Sequence, residues 1–153
     1  MAKKIQLYLD TSVFGGFFDK ELEVHTKPLF ERIIKGEFTL ALSDTTQEEL
    51  AVAPQHVRDL MQLIKADYIE NIKTTAEAYD LANEYISENV VGQTSYSDCV
   101  HIALATIHKA DFLISWNFKH IVNVQRIRGY NTINLRNGYP LLEIRSPREF
   151  ALW

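Results

Sequence analysis

Few features of secreted or membrane proteins are present in this sequence. The 153 residues include a single cysteine, six glycines and four prolines. One cysteine, Cys99, excludes an internal disulfide and suits a reducing compartment. No apolar stretch approaches the ~20 residues that a membrane-spanning helix needs, and the Met1-Ala2-Lys3-Lys4 start is not followed by the apolar core of a signal peptide. We therefore expect a cytoplasmic protein that does not bind membranes.

Length and composition indicate one globular domain. Hydrophobic residues make up 46% of the chain and charged residues 24%, which are the proportions of ordinary folded proteins. A chain of this length buries one substantial core and is too short for two. We predict a single domain over residues 1–153.

The charges are unevenly distributed. The net charge of −4 argues against a general nucleic-acid binder. Residues 1–118, however, carry 10 Lys and Arg against 18 Asp and Glu, a balance of −8, whereas residues 119–153 carry six against two, a balance of +4. Such a chain could hold cations at one place and phosphates beside it. An ordinary solvated surface would explain the same counts.

Short apolar runs alternate with amphipathic stretches along the chain. The runs predict strands near 5–9, 38–42, 68–72, 112–115 and 142–144. The amphipathic stretches predict helices near 24–35, 45–52, 55–66, 75–88 and 96–109. The pair Gly15-Gly16 and the polar residues 92–95 indicate loops. This alternation predicts an α/β fold, a three-layer α/β/α sandwich around a central, mostly parallel sheet.

Local signals mark the ends of two of these helices. Pro28 lies in the first turns of the helix near 24–35, and Gly36 is a candidate for its C-terminal cap. Thr45-x-x-Glu48 matches a capping box, in which the Glu48 side chain reaches back to the cap backbone. That role for Glu48 leaves Glu49 free to face the edge of the sheet, although a solvated helix position would suit Glu49 as well.

Polar side chains follow two of the predicted strands. Asp10 comes directly after the first strand, and Asn117 follows the strand near 112–115. In open α/β sheets, ligands bind at the carboxyl ends of the strands. A buried carboxylate there must be solvated, hydrogen-bonded or facing a cation, and an Asn at such a position could equally stabilise a turn.

The helix near 96–109 carries a further carboxylate. Asp98 lies in its first turn, where the helix dipole favours negative charge and where Asp is common. His101 follows one turn later, and no other histidine stands at a metal-ligand spacing from it. We expect His101 to be a surface residue or a partner of a ligand rather than a ligand itself. Trp116 is expected to pack rather than to stack on bases.

In order and spacing, these positions resemble the PIN domain, the fold of VapC-type toxins and other metal-dependent ribonucleases. Four landmarks carry the resemblance: Asp10-Thr11-Ser12, Glu49-Leu50, Ser97 to Ala103, and Ala110 to His120. The resemblance covers essentially the whole chain, including Ile133-Asn134 and Ser146-Pro147-Arg148-Glu149.

The resemblance implies a catalytic set of Asp10, Glu49, Asp98 and Asn117. The three acids would bind Mg²⁺ or Mn²⁺, hard cations that prefer oxygen ligands, and Asn117 would assist. Crowded carboxylates raise one another's pKa unless a cation lies between them.

Our hypothesis also assigns roles to residues around that set. Three hydroxyl side chains would support the ligands or contact substrate: Thr11, Ser12 and Ser115. Three basic side chains would follow the phosphates of the substrate: Lys119, Arg126 and Arg128. The implied protein is a cytoplasmic endoribonuclease that hydrolyses RNA, the toxin of a type II toxin–antitoxin pair, with a small antitoxin as partner and a homodimer as its assembly.

One departure from the family pattern keeps other functions open. The family commonly has Asp where this chain has Asn117, and an amide contributes no negative charge. A PIN-like module that binds RNA or a protein partner without cleavage is therefore the alternative. A phosphatase with Asp10 as nucleophile would need a second Asp where Ser12 stands, and a plain scaffold would bind neither metal nor RNA.

Overall fold

A five-stranded parallel sheet forms the centre of the computed structural model, which describes residues 3–91 and 95–152. The strand order is β3-β2-β1-β4-β5, and all four pairings are parallel. The strands are β1 Gln6–Leu9, β2 Thr39–Ser43, β3 Ile69–Ile72, β4 Phe112–Ile114 and β5 Glu143–Arg145. All five predicted strands are confirmed. The loop predicted at 92–95 falls mostly outside the described residues.

Helices cover both faces of the sheet. They are α1 Thr11–Gly16, α2 Glu23–Ile34, α3 Asp44–Ala51, α4 Gln55–Met61, α5 Ala76–Ser87, α6 Tyr96–Ile107, α7 Val124–Arg136 and α8 Pro147–Phe150, with a 3-10 turn at Ala66–Tyr68. Among the described residues, no helix is long and apolar enough to cross a membrane.

The three central strands, β2, β1 and β4, are buried on both sides, which explains their continuous apolar runs. Along β1, Tyr8 packs into the core formed with α5, α6 and α7, whereas Leu7 and Leu9 pack into the core formed with α1 to α4 and α8. The predicted three-layer α/β/α sandwich is therefore confirmed.

Two local predictions are wrong. Gly15-Gly16 does not form a loop but ends α1. The capping box at Thr45 and Glu48 does not form, because α3 begins directly after β2 with Ser43 as its cap. The Ser43 hydroxyl accepts a hydrogen bond from the Thr46 backbone at 3.0 Å.

The end of α2 agrees with the sequence. Gly36 has a φ of +82° and follows the helix as the predicted cap. Its backbone N–H donates to Ile33 and that of Glu37 donates to Arg32, the paired bonds of a Schellman motif.

The topology brings three chain segments to one edge of the sheet. β2, β1 and β4 are neighbours, and Leu9 is paired with Ile114 at their carboxyl ends. Asp10 continues from β1 and donates its backbone N–H to Ile114. Because α6 precedes β4 and runs back along the sheet, its first turn lies at this same edge.

Candidate active site

Asp10 is held by hydroxyl groups. Its side chain is 6% exposed, and Oδ2 accepts hydrogen bonds from Ser12 Oγ at 2.7 Å and from Ser115 Oγ at 2.9 Å. Ser12 Oγ also accepts from the Trp116 backbone at 3.0 Å, which ties the start of α1 to the end of β4. Both predicted serines therefore contact the first acid directly.

Asp98 lies close enough to Asp10 to sense its charge. Burial and then the negative charge of Asp10 raise the pKa of Asp98, although His120 and His101 oppose the shift. Asp98 Oδ2 faces His120 Nδ1 at 3.3 Å and accepts a hydrogen bond from Asn117 Nδ2 at 3.1 Å. The two acids thus form a mutually repelling pair at the edge of the sheet.

Asn117 both stabilises a turn and contacts an acid. Its side-chain Oδ1 accepts a hydrogen bond from the backbone N–H of His120 at 3.0 Å. The backbone N–H of Asn117 donates to Ser115 Oγ at 2.9 Å. Since a backbone N–H only donates, His120 fixes the amide oxygen on its own side and directs Nδ2 toward Asp98. The amide nitrogen, not the oxygen, therefore faces the acidic pair.

Glu49 is held by three hydrogen-bonding partners. Its Oε1 accepts from the Thr11 hydroxyl and contacts His101 Nε2 at 2.7 Å, and its Oε2 accepts from Ser97 Oγ at 2.8 Å. Burial alone would raise the pKa of Glu49, but the hydrogen bond and positive charge of His101 outweigh it and lower the pKa to about 2. Glu49 is thus no ordinary solvated helix residue.

Two residues behind Glu49 have a larger role than the sequence indicated. His101 is 1% exposed, so it is not a surface residue but a partner of the candidate ligand Glu49. Its Nδ1 lies 2.6 Å from Tyr8 Oη. Tyr8 is fully buried. The sequence could not have identified Tyr8 as a site residue, because a tyrosine in an apolar strand is ordinary. The spacing of three residues between Asp98 and His101 did indicate that His101 lies near the site.

The predicted basic residues are not part of this hydrogen-bond network in the described part of the chain. Lys119 and Arg128 are exposed, while the Arg126 guanidinium donates to the carbonyl of Val90. Trp116 packs as expected: its indole N–H donates to Thr26 Oγ1 at 2.9 Å.

The carboxylate oxygens at this edge supply some, but not all, of the ligands that a hard divalent cation requires. Asp10 and Asp98 offer carboxylate oxygens whose repulsion a cation would relieve, and Mg²⁺ binds through as few as one or two carboxylates together with water. Within residues 3–91 and 95–152, however, no three His, Cys, Asp or Glu side chains converge as ligands of one ion. Glu49 is engaged by Thr11, Ser97 and His101 instead.

Solved structures with a similar arrangement of sheet and helices are known. The chain matches VapBC2 from Rickettsia felis bound to a promoter DNA fragment, with a TM-score of 0.56 and 15% identity over 93% of this chain and 98% of the other. It matches DNA-bound VapBC from Salmonella typhimurium with a TM-score of 0.54 and 14% identity over 94% and 98%.

These likenesses establish a VapC-like PIN fold, as the sequence predicted. No protein-family model matches the sequence, and the curated proteins contain no significant match.

Proposed function

We propose that this chain is a Mg²⁺- or Mn²⁺-dependent endoribonuclease that hydrolyses RNA phosphodiester bonds, acting as the toxin of a type II toxin–antitoxin pair. One observation carries the proposal: at the carboxyl edge of a VapC-like PIN fold, Ser115 donates to Asp10 and Asn117 donates to Asp98, which places the two acids near enough for the charge of Asp10 to raise the pKa of Asp98. A repelling pair of this kind is unfavourable unless a cation occupies it.

Asp10 and Asp98 would hold the metal, and the surrounding residues would hold the acids. When bound, the ion would lower the pKa of a water and stabilise the charge on the phosphate that is cleaved. Ser12 and Ser115 donate to Asp10 and so hold its carboxylate in place. Asn117 does the same for Asp98.

Glu49 would orient water at the site rather than take a proton. A pKa of about 2 makes Glu49 a weak base near neutral pH, because a general base works best with a pKa near the working pH. Its Oε1 already has two hydrogen-bonding partners, Thr11 and His101, whereas Oε2 has one, Ser97. Oε2 therefore retains room to accept a hydrogen bond from a water.

The proposed partners are RNA and a small antitoxin. The matched solved structures are VapBC complexes, which supports a protein partner for this chain. Its exposed Val52 and Leu63, with an apolar groove of about 410 Å³ beside α3 and α4, are suited to such contacts. We also propose the homodimer and the cytoplasmic location expected from the sequence; light scattering on the purified protein would measure the dimer.

Cleavage assays with single-stranded RNA test the enzyme. We expect cleavage with Mn²⁺ or Mg²⁺ and none with EDTA. Replacing even a hydrogen-bond partner of a metal ligand costs about 10- to 100-fold, so Asp10→Asn should lower the rate by about 100-fold or more. Asp80→Asn, an exposed acid on α5, is the matched control. Equal cleavage by wild type and Asp10→Asn, or no cleavage with any metal, would refute the proposal.

Asn117 supports a second candidate. With an amide nitrogen facing Asp98, the site has one carboxylate fewer than the family pattern. A module that binds RNA or a protein without cleaving RNA predicts binding that is salt-sensitive, independent of metal and without products. The same assay, with and without EDTA, separates the two functions.

A further inference from the structure

A chain of buried hydrogen bonds runs behind Glu49. His101 contacts Glu49 Oε1 through Nε2 at 2.7 Å and Tyr8 Oη through Nδ1 at 2.6 Å. The Tyr8 hydroxyl also lies 2.9 Å from Ser43 Oγ. Both ring nitrogens of the histidine are therefore used, one of them on a candidate active-site acid.

This chain connects the three elements that carry the acids. Tyr8 is on β1, two residues before Asp10. Ser43 caps α3, the helix of Glu49, and His101 lies one turn after Asp98 on α6. A shift of any of these elements would strain a bond at Tyr8 or His101, and the bonds therefore fix the acids relative to one another.

Packing alone does not account for a polar pair here. Tyr8 is fully buried and His101 is 1% exposed. Hydrogen bonds at best offset the cost of removing such groups from water, and apolar side chains of similar volume are often at least as stable. What the polar pair adds is direction, because a hydrogen bond fixes where Glu49 Oε1 lies.

We infer that Tyr8 and His101 are positioning residues, which hold the Glu49 carboxylate at the acidic site for metal binding and RNA cleavage. The inference rests on the proposed function. Residues that orient the ligands and waters around a metal are commonly needed for full metal affinity and activity, and Glu49 would orient such a water. Thr11 and Ser97 hold Glu49 from the open side, and His101 holds it from the core.

Four variants test this inference. Tyr8→Phe removes only the hydroxyl, and His101→Leu removes both hydrogen bonds. His101→Gln is the conservative variant, because its amide N–H has a reach similar to that of Nε2. Tyr85→Phe is the matched control: Tyr85 is also fully buried and its hydroxyl donates to buried Asn134, on α5 and α7 away from the acids.

We expect Tyr8→Phe to lower both kcat and Mn²⁺ affinity about 10-fold and His101→Leu to lower them about 10- to 100-fold. KM for RNA should change little, since both residues are buried and out of reach of a substrate. His101→Gln should recover most of the loss. Tyr85→Phe should lower thermal stability as much as Tyr8→Phe does, with kcat and Mn²⁺ affinity unchanged. Kinetics, calorimetric Mn²⁺ titration and thermal unfolding measure the three quantities.

Each outcome decides one question. Wild-type kcat and Mn²⁺ affinity in Tyr8→Phe and His101→Leu, or equal losses in Tyr85→Phe, would overturn the inference while leaving the nuclease proposal intact. A wild type that binds Mn²⁺ but cleaves no RNA would overturn the proposed function, and the Mn²⁺ titrations would still decide the role of Tyr8 and His101. A wild type that binds no Mn²⁺ overturns both.

Discussion

At the scale of single residues, Asn117 shows how one atom changes a site. Its amide oxygen is fixed by the His120 backbone, so the position nearest Asp98 carries a hydrogen-bond donor. A carboxylate there would face Asp98 with an oxygen instead. The donor offsets part of the repulsion between Asp98 and Asp10, whereas a carboxylate would add to it.

Asn117→Asp should therefore lower the stability of the metal-free protein and raise its affinity for a metal. Losing a hydrogen bond to a charged group and adding a like charge should lower the free energy of unfolding by about 1–3 kcal/mol without metal. Adding Mn²⁺ should raise the melting temperature of the variant more than that of the wild type.

The matched control for that variant is Asn137→Asp. Asn137 Nδ2 also donates to a carboxylate, Glu84 Oε2 at 2.8 Å, but on the exposed side of α5 and α7. Its stability should not respond to Mn²⁺. If Asn117→Asp responds to Mn²⁺ no more than Asn137→Asp does, Asn117 does not adjoin a metal site.

At the scale of elements, Asp44 joins the start of α3 to the segment between β3 and α5. Its Oδ1 accepts from the Thr74 hydroxyl at 2.6 Å, the Thr74 backbone at 2.9 Å and the Thr45 backbone at 2.9 Å. Burial works to raise the pKa of Asp44, but these hydrogen bonds outweigh it and the pKa is lowered. The first turn of α3 also favours a negative charge.

A lowered pKa fixes the sign of the pH dependence. Asp44 stabilises the fold above its unfolded pKa, and this contribution is lost as the pH falls through the lower folded value. Asp44→Asn should therefore cost about 1 kcal/mol at neutral pH and progressively less below about pH 4. Urea unfolding across pH measures this, with Asp80→Asn as the control for net charge. A difference that stays constant down to low pH contradicts the assignment.

The sequence predicted elements best where both faces of a strand are buried, as in β1 and β4. The sequence patterns do not predict the helix α7, because its buried residues form only a narrow stripe in an otherwise polar stretch. These residues are Tyr130, Ile133 and Asn134. The patterns also indicate a loop at Gly15-Gly16, which is wrong because glycine there serves packing: a Cβ on Gly16 would lie 2.7 Å from the Trp116 ring nitrogen.

The candidate site was predictable only in part for a related reason. Asp10 follows a strand and Asp98 lies in the first turn of α6, positions that local sequence patterns define, whereas Glu49 lies in the second turn of α3. Tyr8 and His101 are 93 residues apart, and their contact depends on how α6 packs against β1. No local pattern contains that information.

At the scale of the whole molecule, the basic C-terminal third is less available than its charge count suggests. Arg136 pairs with Glu84 and Glu88 at 2.6 and 2.8 Å, and Arg145 with Glu143 at 2.6 Å. Arg126 is tied to the backbone of Val90. Of the predicted phosphate contacts, Lys119 and Arg128 are exposed, and no carboxylate partner is seen for either within the described residues.

From this distribution of charges we predict which basic side chains contact the phosphates of RNA. A phosphate contact on single-stranded nucleic acid contributes about 0.7 to the slope of log affinity against log salt concentration. Lys119→Ala and Arg128→Ala together should therefore reduce the slope by about 1.4 and weaken binding. Arg136→Ala removes the same charge from a residue already paired with two glutamates and should change the slope little. The slope is measured by fluorescence anisotropy with a single-stranded RNA, in EDTA and between about 50 and 200 mM salt. Equal slopes for all these proteins would mean that RNA binds another face, and the phosphate track along Lys119 and Arg128 would be wrong.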